Sequence, residues 1–262
     1  MEWPFRKRWQ SVEWPFCDYL VNEDRKILFC PINKVACSTL KSAMWAATNV
    51  PLTHAPCNWH GFIRRQLGLH RYDVRRANKI LRSSEYFKFT FVRNPWSRLV
   101  SGFVNKFVDQ LKPPGLHIIN KLGVSSDSIR FRDFVYFLQS KDTSTFNRHW
   151  RPQADFLANT SFDFIGKFEH LQEDYSLVAR RLNLNPRLEH RNRTKYALGN
   201  TECVADISAE KLNDLLSFPT YQFFYTPELI EIVGRIYADD IETFGYNFGE
   251  QSISTRALEK AG

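Results

Sequence analysis

An α/β fold with a mainly parallel sheet, covered by helices on both faces, follows from three observations. Short apolar segments rich in aromatic and β-branched residues alternate with helix-like segments along the chain. Two of the apolar segments run straight into a polar turn and then a helix-like segment, from Phe29 to Lys41 and from Phe89 to Ser101. The 262 residues, 43% apolar and 15% aromatic, are enough to bury one full core. No internal repeat, low-complexity segment or linker divides the chain.

In chain order, Lys26 to Pro31 reads as a buried strand that Pro31 stops. Thr39 to Thr48 reads as a helix with Ser38 as its N-cap. Residues 73–84 form a basic amphipathic helix, and Tyr86 to Val92 a central strand. Pro95 suits the first turn of a helix that continues from Trp96 to Val108. Lys112 to Ser128, with Pro113, Pro114, Gly115 and Gly123, is expected to be a surface loop over the site. Arg130 to Gln139 is a helix whose Phe131, Phe134, Tyr136 and Phe137 belong in the core. Phe162 to Phe168 is another strand, followed by a helix from Leu171 to Leu182. Thr226, Pro227 and Glu228 supply a cap, a first-turn proline and an acid at the positive end of a helix expected to reach Phe244, with Gly245 ending it.

Lys and Arg exceed Asp and Glu by 36 to 28, a formal charge of +8, and the isoelectric point is near 9.3. The excess favours an anionic partner without choosing among nucleotide, nucleic acid, glycan and lipid headgroup. It is concentrated in Arg64, Arg65, Arg71, Arg75, Arg76, Lys79 and Arg82, and again in Arg187, Arg191, Arg193 and Lys195. The first group has two readings, a groove for an anionic glycan or a solvated helix face. Five cysteines form no C-x-x-C pair and no metal-ligand spacing, as expected of reduced thiols. The N-terminal residues contain no apolar run long enough for a signal peptide or membrane span, so with Met1 as the start a cytoplasmic protein is expected. The alternative, if residues precede Met1, is a Golgi membrane protein.

The two strand–turn–helix segments carry the chemistry. In the first, Lys34 offers a point charge, and Ser38 and Thr39 offer hydroxyls beside a helix N-terminus, where backbone N–H groups favour a phosphate. In the second, Arg93 at a strand end can fork onto a phosphate that the Ser101 hydroxyl reaches from the helix. Two phosphate seats in one domain point to a nucleotide phosphorylated at two places. Neither G-x-x-x-x-G-K-[ST] nor G-x-G-x-x-G occurs, which counts against a standard NTPase or a dinucleotide oxidoreductase.

The two segments resemble the nucleotide-binding motifs of the carbohydrate sulfotransferases of the chondroitin 4-sulfotransferase and HNK-1 sulfotransferase type. The similarity extends, in the family's order, through Asn105 to Phe107, His149 to Pro152, Phe164 to Glu169 with Asp174, and Tyr237 to Tyr246. It implies a P-loop-NTPase-like three-layer sandwich over residues 26–250, preceded by an extension (1–25) and followed by a tail (251–262). It further implies 3′-phosphoadenosine-5′-phosphosulfate (PAPS) as sulfuryl donor, no metal, and a carbohydrate or other hydroxyl-bearing acceptor. Lys34 would contact the bridging oxygen of the departing phosphate. Val35, Ala36, Cys37, Ser38 and Thr39 would line the 5′-phosphate, Arg93 and Ser101 the 3′-phosphate, and Arg193 and Lys195 a loop over the nucleotide. Ser38, Thr39 and Leu40 replace the family's usual Thr-Asn-Trp, Asn33 stands where proline is common, and the cysteine-rich stretch and membrane anchor of the Golgi enzymes are missing. That points to a soluble relative of bacterial kind.

A hydroxyl nucleophile needs a base. Related enzymes carry a histidine after the first helix, where this chain has His54, His60 and His70. His60 is placed first by its distance from Tyr72 and the next strand, with His54 next; His149 belongs to a family motif without an assigned role. Arg98, three residues before Ser101, has two readings, a surface residue first and a further ligand second. Two further functions stay open, a kinase-like phosphoryl transferase of related fold and a basic nucleic-acid-binding module, although no nucleic-acid motif is present.

Overall fold

The structure, a computed structural model, describes residues 12–48, 50–51, 56–109, 113–158, 160–181, 183–188, 202–215 and 218–249. In chain order its strands and helices are β1 (Leu20–Asn22), β2 (Ile27–Cys30), α1 (Cys37–Ala46), α2 (Trp59–Leu67), α3 (Val74–Arg82), β3 (Phe87–Val92), α4 (Pro95–Phe103), α5 (Pro113–Leu122), α6 (Phe131–Gln139), α7 (Ala154–Leu157), β4 (Phe164–Lys167), α8 (Leu171–Arg181), α9 (Ala209–Asn213), α10 (Pro227–Ile236) and α11 (Ala238–Phe244).

The strands form one sheet in the order β1-β2-β3-β4. β2 and β3 pair in parallel, as do β3 and β4, while β1 runs antiparallel along the edge with Leu20 opposite Phe29. The α/β, mainly parallel architecture expected from the sequence is therefore present. The short strand β1 falls within the segment read as an extension. Parallel strands buried on both faces read as continuous apolar runs, and Ile27 to Cys30 and Phe89 to Val92 are all buried. On one face Phe29 stacks on Phe89, centroids 4.8 Å apart, and Phe91 meets Phe164 edge to face. This ladder needs Gly166, because a Cβ there would lie 2.4 Å from the Phe91 ring.

A second apolar cluster gathers α4, α5, α6 and α10 around Phe103, Phe107, Phe131, Phe134 and Trp150. Tyr136 faces outward instead, 38% exposed, and Phe137 packs only at its edge. The site lies near the N-terminal end of α4, whose start is fixed by Asn94: its side chain accepts from the N–H groups of Trp96 and Ser97, with Pro95 in the first turn.

Four expectations are corrected. Helix α1 begins at Cys37, because Ala36 turns left-handed (φ 46°) and serves as N-cap; Ser38 already lies in the first turn. The helix after Pro95 changes at Phe103 into a π turn, Val104–Val108, with the Asp109 N–H donating to the Val104 carbonyl. Pro113 and Pro114 do not mark a loop but open α5, whose Ile118 and Ile119 are buried. The last helix breaks at Tyr237 into α10 and α11; Gly245 does end it, at φ 62°. No helix among the described residues is long and apolar enough to cross a membrane.

Candidate active site

The turn between β2 and α1 is built without glycine, yet Lys34 (φ 67°) and Ala36 (φ 46°) are both left-handed. Non-glycine residues rarely adopt that conformation, and such strain persists where the surroundings over-determine it. Two arginines and one apolar anchor do so here. Val35 is buried in the sheet core. Arg93 donates from Nη1 to the Lys34 carbonyl (3.2 Å), and Arg98 donates from Nε to the Asn33 carbonyl (2.9 Å). Because a trans peptide sets C=O and N–H on opposite sides, holding these two carbonyls sends the N–H groups of Lys34 and Val35 away from the arginines. Ala36 provides no side-chain cap, and the first helical bond, Leu40 N–H to Ala36 C=O, comes only after the first-turn N–H groups of α1.

Arg93 is itself fixed on every side. Its Nε donates to Ser97 Oγ (2.8 Å), and its guanidinium lies 4.2 Å over the Phe168 ring. Its backbone N–H donates to Gln153 Oε1, while Gln153 Nε2 donates back to its carbonyl. Gln153 is wholly buried and in turn bound to Asp240, which accepts from the N–H groups of Gln153 and Ala154 and from Gln153 Nε2. Burial raises the Asp240 pKa, and Arg98 pulls it back. The hydroxyl that Arg93 meets is thus Ser97, one turn into α4. Ser101, a turn further on, is buried on the same helix.

Arg98 is not at the surface. It is 1% exposed, and its three donor positions reach the carbonyls of Asn33, Arg151 (Nη1, 2.8 Å) and Arg148 (Nη2, 3.3 Å). One planar group therefore ties the β2–α1 turn to the loop carrying His149.

His60, in the first turn of α2, sits opposite the first turn of α1. Its Nε2 lies 3.1 Å from Ser38 Oγ and its Nδ1 3.3 Å from Lys41 Nζ. An ammonium can only donate, so Nδ1 holds the lone pair and Nε2–H points at Ser38. His60 keeps solvent access, but lost hydration, and then Lys41, Lys106 and Lys34, pull its pKa down to about 4. His149, half-buried, falls to about 3 for the same first reason, followed by Lys106, Lys34, Arg98 and His60. Both imidazoles are neutral near pH 7, and both stand within the field of Lys34 and Lys106. Lys106 lies on the π turn and is 8% exposed.

Of the residues singled out from sequence, Lys34, Val35, Ala36, Cys37, Ser38, Thr39, His60 and Arg93 belong to this neighbourhood. His54, Arg193 and Lys195 lie outside the described residues. Sequence reasoning missed Lys106, Ser97, Gln153 and Asp240 as contributors. The signal at hand for Lys106 was its place in the Asn105 to Phe107 motif. Among the described residues no group of His, Cys, Asp and Glu could hold a metal ion.

Comparison with known proteins bears on this site. Rat carbohydrate sulfotransferase 11 is 29% identical over 224 residues, covering 75% of this chain and 62% of that protein. Human carbohydrate sulfotransferase 14 is 29% identical over 170 residues, covering 61% of this chain and 45% of that protein. Human carbohydrate sulfotransferase 8 is 28% identical over 239 residues, covering 83% and 56%. The chain thus spans about half to three-fifths of the length of these relatives. No solved structure matches. The family model described as "Sulfotransferase family" matches residues 17–247, which contain every element from β1 to α11, and the chain belongs to that family.

Proposed function

We propose that this chain transfers a sulfuryl group from PAPS to a hydroxyl on a carbohydrate, by in-line displacement with a histidine as base and no metal. The observation that carries the reading is the uncapped, left-handed turn at Lys34 and Ala36, braced from behind by Arg93 and Arg98. Such a turn offers outward N–H groups and a helix N-terminus to an anion, and the residues fit a 5′-phosphosulfate. Lys34 would hold the bridging oxygen, where charge develops as the sulfur–oxygen bond breaks. Ser38 and Thr39 would hold the 5′-phosphate, with His60 Nε2–H keeping the Ser38 hydroxyl in place. Arg93 and Ser97 flank the start of α4 and Ser101 lies a turn further along it; a 3′-phosphate held there would complete the grip on the nucleotide. A P-loop-like three-layer arrangement belongs to the same reading, and the carbohydrate acceptor rests on the names of the relatives.

Calorimetry with adenosine 3′,5′-bisphosphate, together with labelled sulfate transfer to a polysaccharide panel, tests the proposal. Micromolar binding that Lys34→Ala and Arg93→Ala weaken at least tenfold is the expected result. Magnesium-dependent ATP turnover without binding of the bisphosphate would replace the reading with phosphoryl transfer. Salt-sensitive duplex binding that survives both substitutions would replace it with a nucleic-acid module.

A further inference from the structure

Resting on that reading, we infer that His149, not His60, takes the proton from the acceptor hydroxyl, with Asn147 orienting it and His60 serving the donor seat. The hydrogen bonds of the two imidazoles separate their roles. Asn147 Oδ1 lies 3.1 Å from the His149 backbone N–H and 2.6 Å from its Nδ1. The backbone N–H can only donate, so the Asn147 atom facing it is the carbonyl oxygen, and Nδ1 must carry the ring proton. That leaves Nε2 of His149 with its lone pair, and no described residue bonds to it. His60 has the opposite arrangement. Its lone pair faces the Lys41 ammonium, and its Nε2–H is spent on Ser38.

Location agrees with this division. The Arg98 guanidinium holds the carbonyls of both Asn33 and Arg148, the residues immediately before Lys34 and His149. The backbones that carry the leaving-group lysine and this imidazole are therefore joined through one side chain. Burial and the nearby Lys106 and Lys34 keep His149 unprotonated, the state a base requires before the anionic donor arrives. In the step itself the acceptor oxygen forms its bond to sulfur, and its proton passes to His149 Nε2. The bond from sulfur to the 5′-phosphate oxygen breaks, and that oxygen keeps the electron pair beside Lys34.

The test compares His149→Ala, His149→Gln, Asn147→Ala and His60→Ala in sulfate transfer to heparosan, desulfated chondroitin and dextran, using whichever acceptors the wild-type chain modifies. Binding of adenosine 3′,5′-bisphosphate is measured in parallel. Both His149 variants should lower kcat by roughly 10²- to 10⁴-fold while the bisphosphate binds as in wild type. That unchanged binding also verifies that the site is folded. Asn147→Ala should lower kcat less and leave binding unchanged. His60→Ala should mainly raise the KM for the donor and weaken the bisphosphate. Wild-type kcat in either His149 variant overturns the inference, as does a full loss of kcat in His60→Ala with intact binding; both leave the sulfotransferase reading standing. A wild-type chain that neither binds the bisphosphate nor transfers sulfate refutes the two together.

Discussion

Arg98 and Gln153 show how single buried polar side chains set the geometry that a reactive turn needs. Arg98 is buried, touches no carboxylate among the described residues, and is instead satisfied by three carbonyls from two loops. Lysine can present a charge there but not three donors in one plane. Arg98→Lys should therefore destabilise the fold by about 2–4 kcal/mol, since each abandoned buried carbonyl costs about 1–3 kcal/mol; urea unfolding measures this. Gln153 makes a two-point bond to the Arg93 backbone as a neighbouring strand would, and also reaches Asp240. Gln153→Leu should cost about 2 kcal/mol or more, because the Arg93 N–H and Asp240 lose buried partners together. These partners lie 60 and 87 residues apart in the chain. Local pattern carries no trace of such pairings, which is why sequence reading placed Arg98 outside and passed over Gln153.

At the scale of elements, the strands were legible because buried parallel strands leave continuous apolar runs, and β2, β3 and β4 all fall inside the expected segments. The starts of α4 and α10 were equally legible, from Pro95 and from Thr226 with Pro227, and the structure adds the caps: Asn94 and Thr226 each accept from their own helix. The start of α1 was not, since nothing in the letters from Asn33 to Cys37 announces two left-handed residues without glycine. Nor was the π turn, which one local hydrogen-bond shift creates, or α5, where paired prolines open a helix rather than a loop. Two changes probe this level. Gly166→Ala should destabilise by about 1–3 kcal/mol, as the added methyl presses on the Phe91 ring that the β3–β4 face depends on; thermal and chemical melts would record it. Lys106→Met should weaken bisphosphate binding more than it alters stability, because the π turn holds that lysine where its charge acts on both imidazoles. Equal binding by the variant and the wild type would remove Lys106 from the site.

For the whole molecule, two histidines held neutral among lysines make stability depend on pH in one direction. Their folded pKa values, about 4 and about 3, lie below the ordinary 6.5. The contribution is therefore complete above about pH 6.5 and is lost as pH falls through about 4 for His60 and about 3 for His149, where the unfolded chain binds protons that the folded one refuses. Melting temperature should decline across that window, and replacing both histidines with glutamine should flatten the decline. An anion in the site reverses the local field, so bisphosphate binding near pH 5 should draw protons from the buffer. Calorimetry in two buffers of different ionisation heat reads this uptake directly, and none is expected near pH 8.

The joining of two loops through Arg98 has a kinetic corollary. Segments fastened by one rivet cannot breathe independently, so the amide of Leu40, bonded to Ala36, and that of Arg151, bonded to Asn147, should exchange with deuterium as one cooperative unit. Loosening the rivet with Arg98→Lys should speed both by a similar factor, and by more than it speeds the amides of α10.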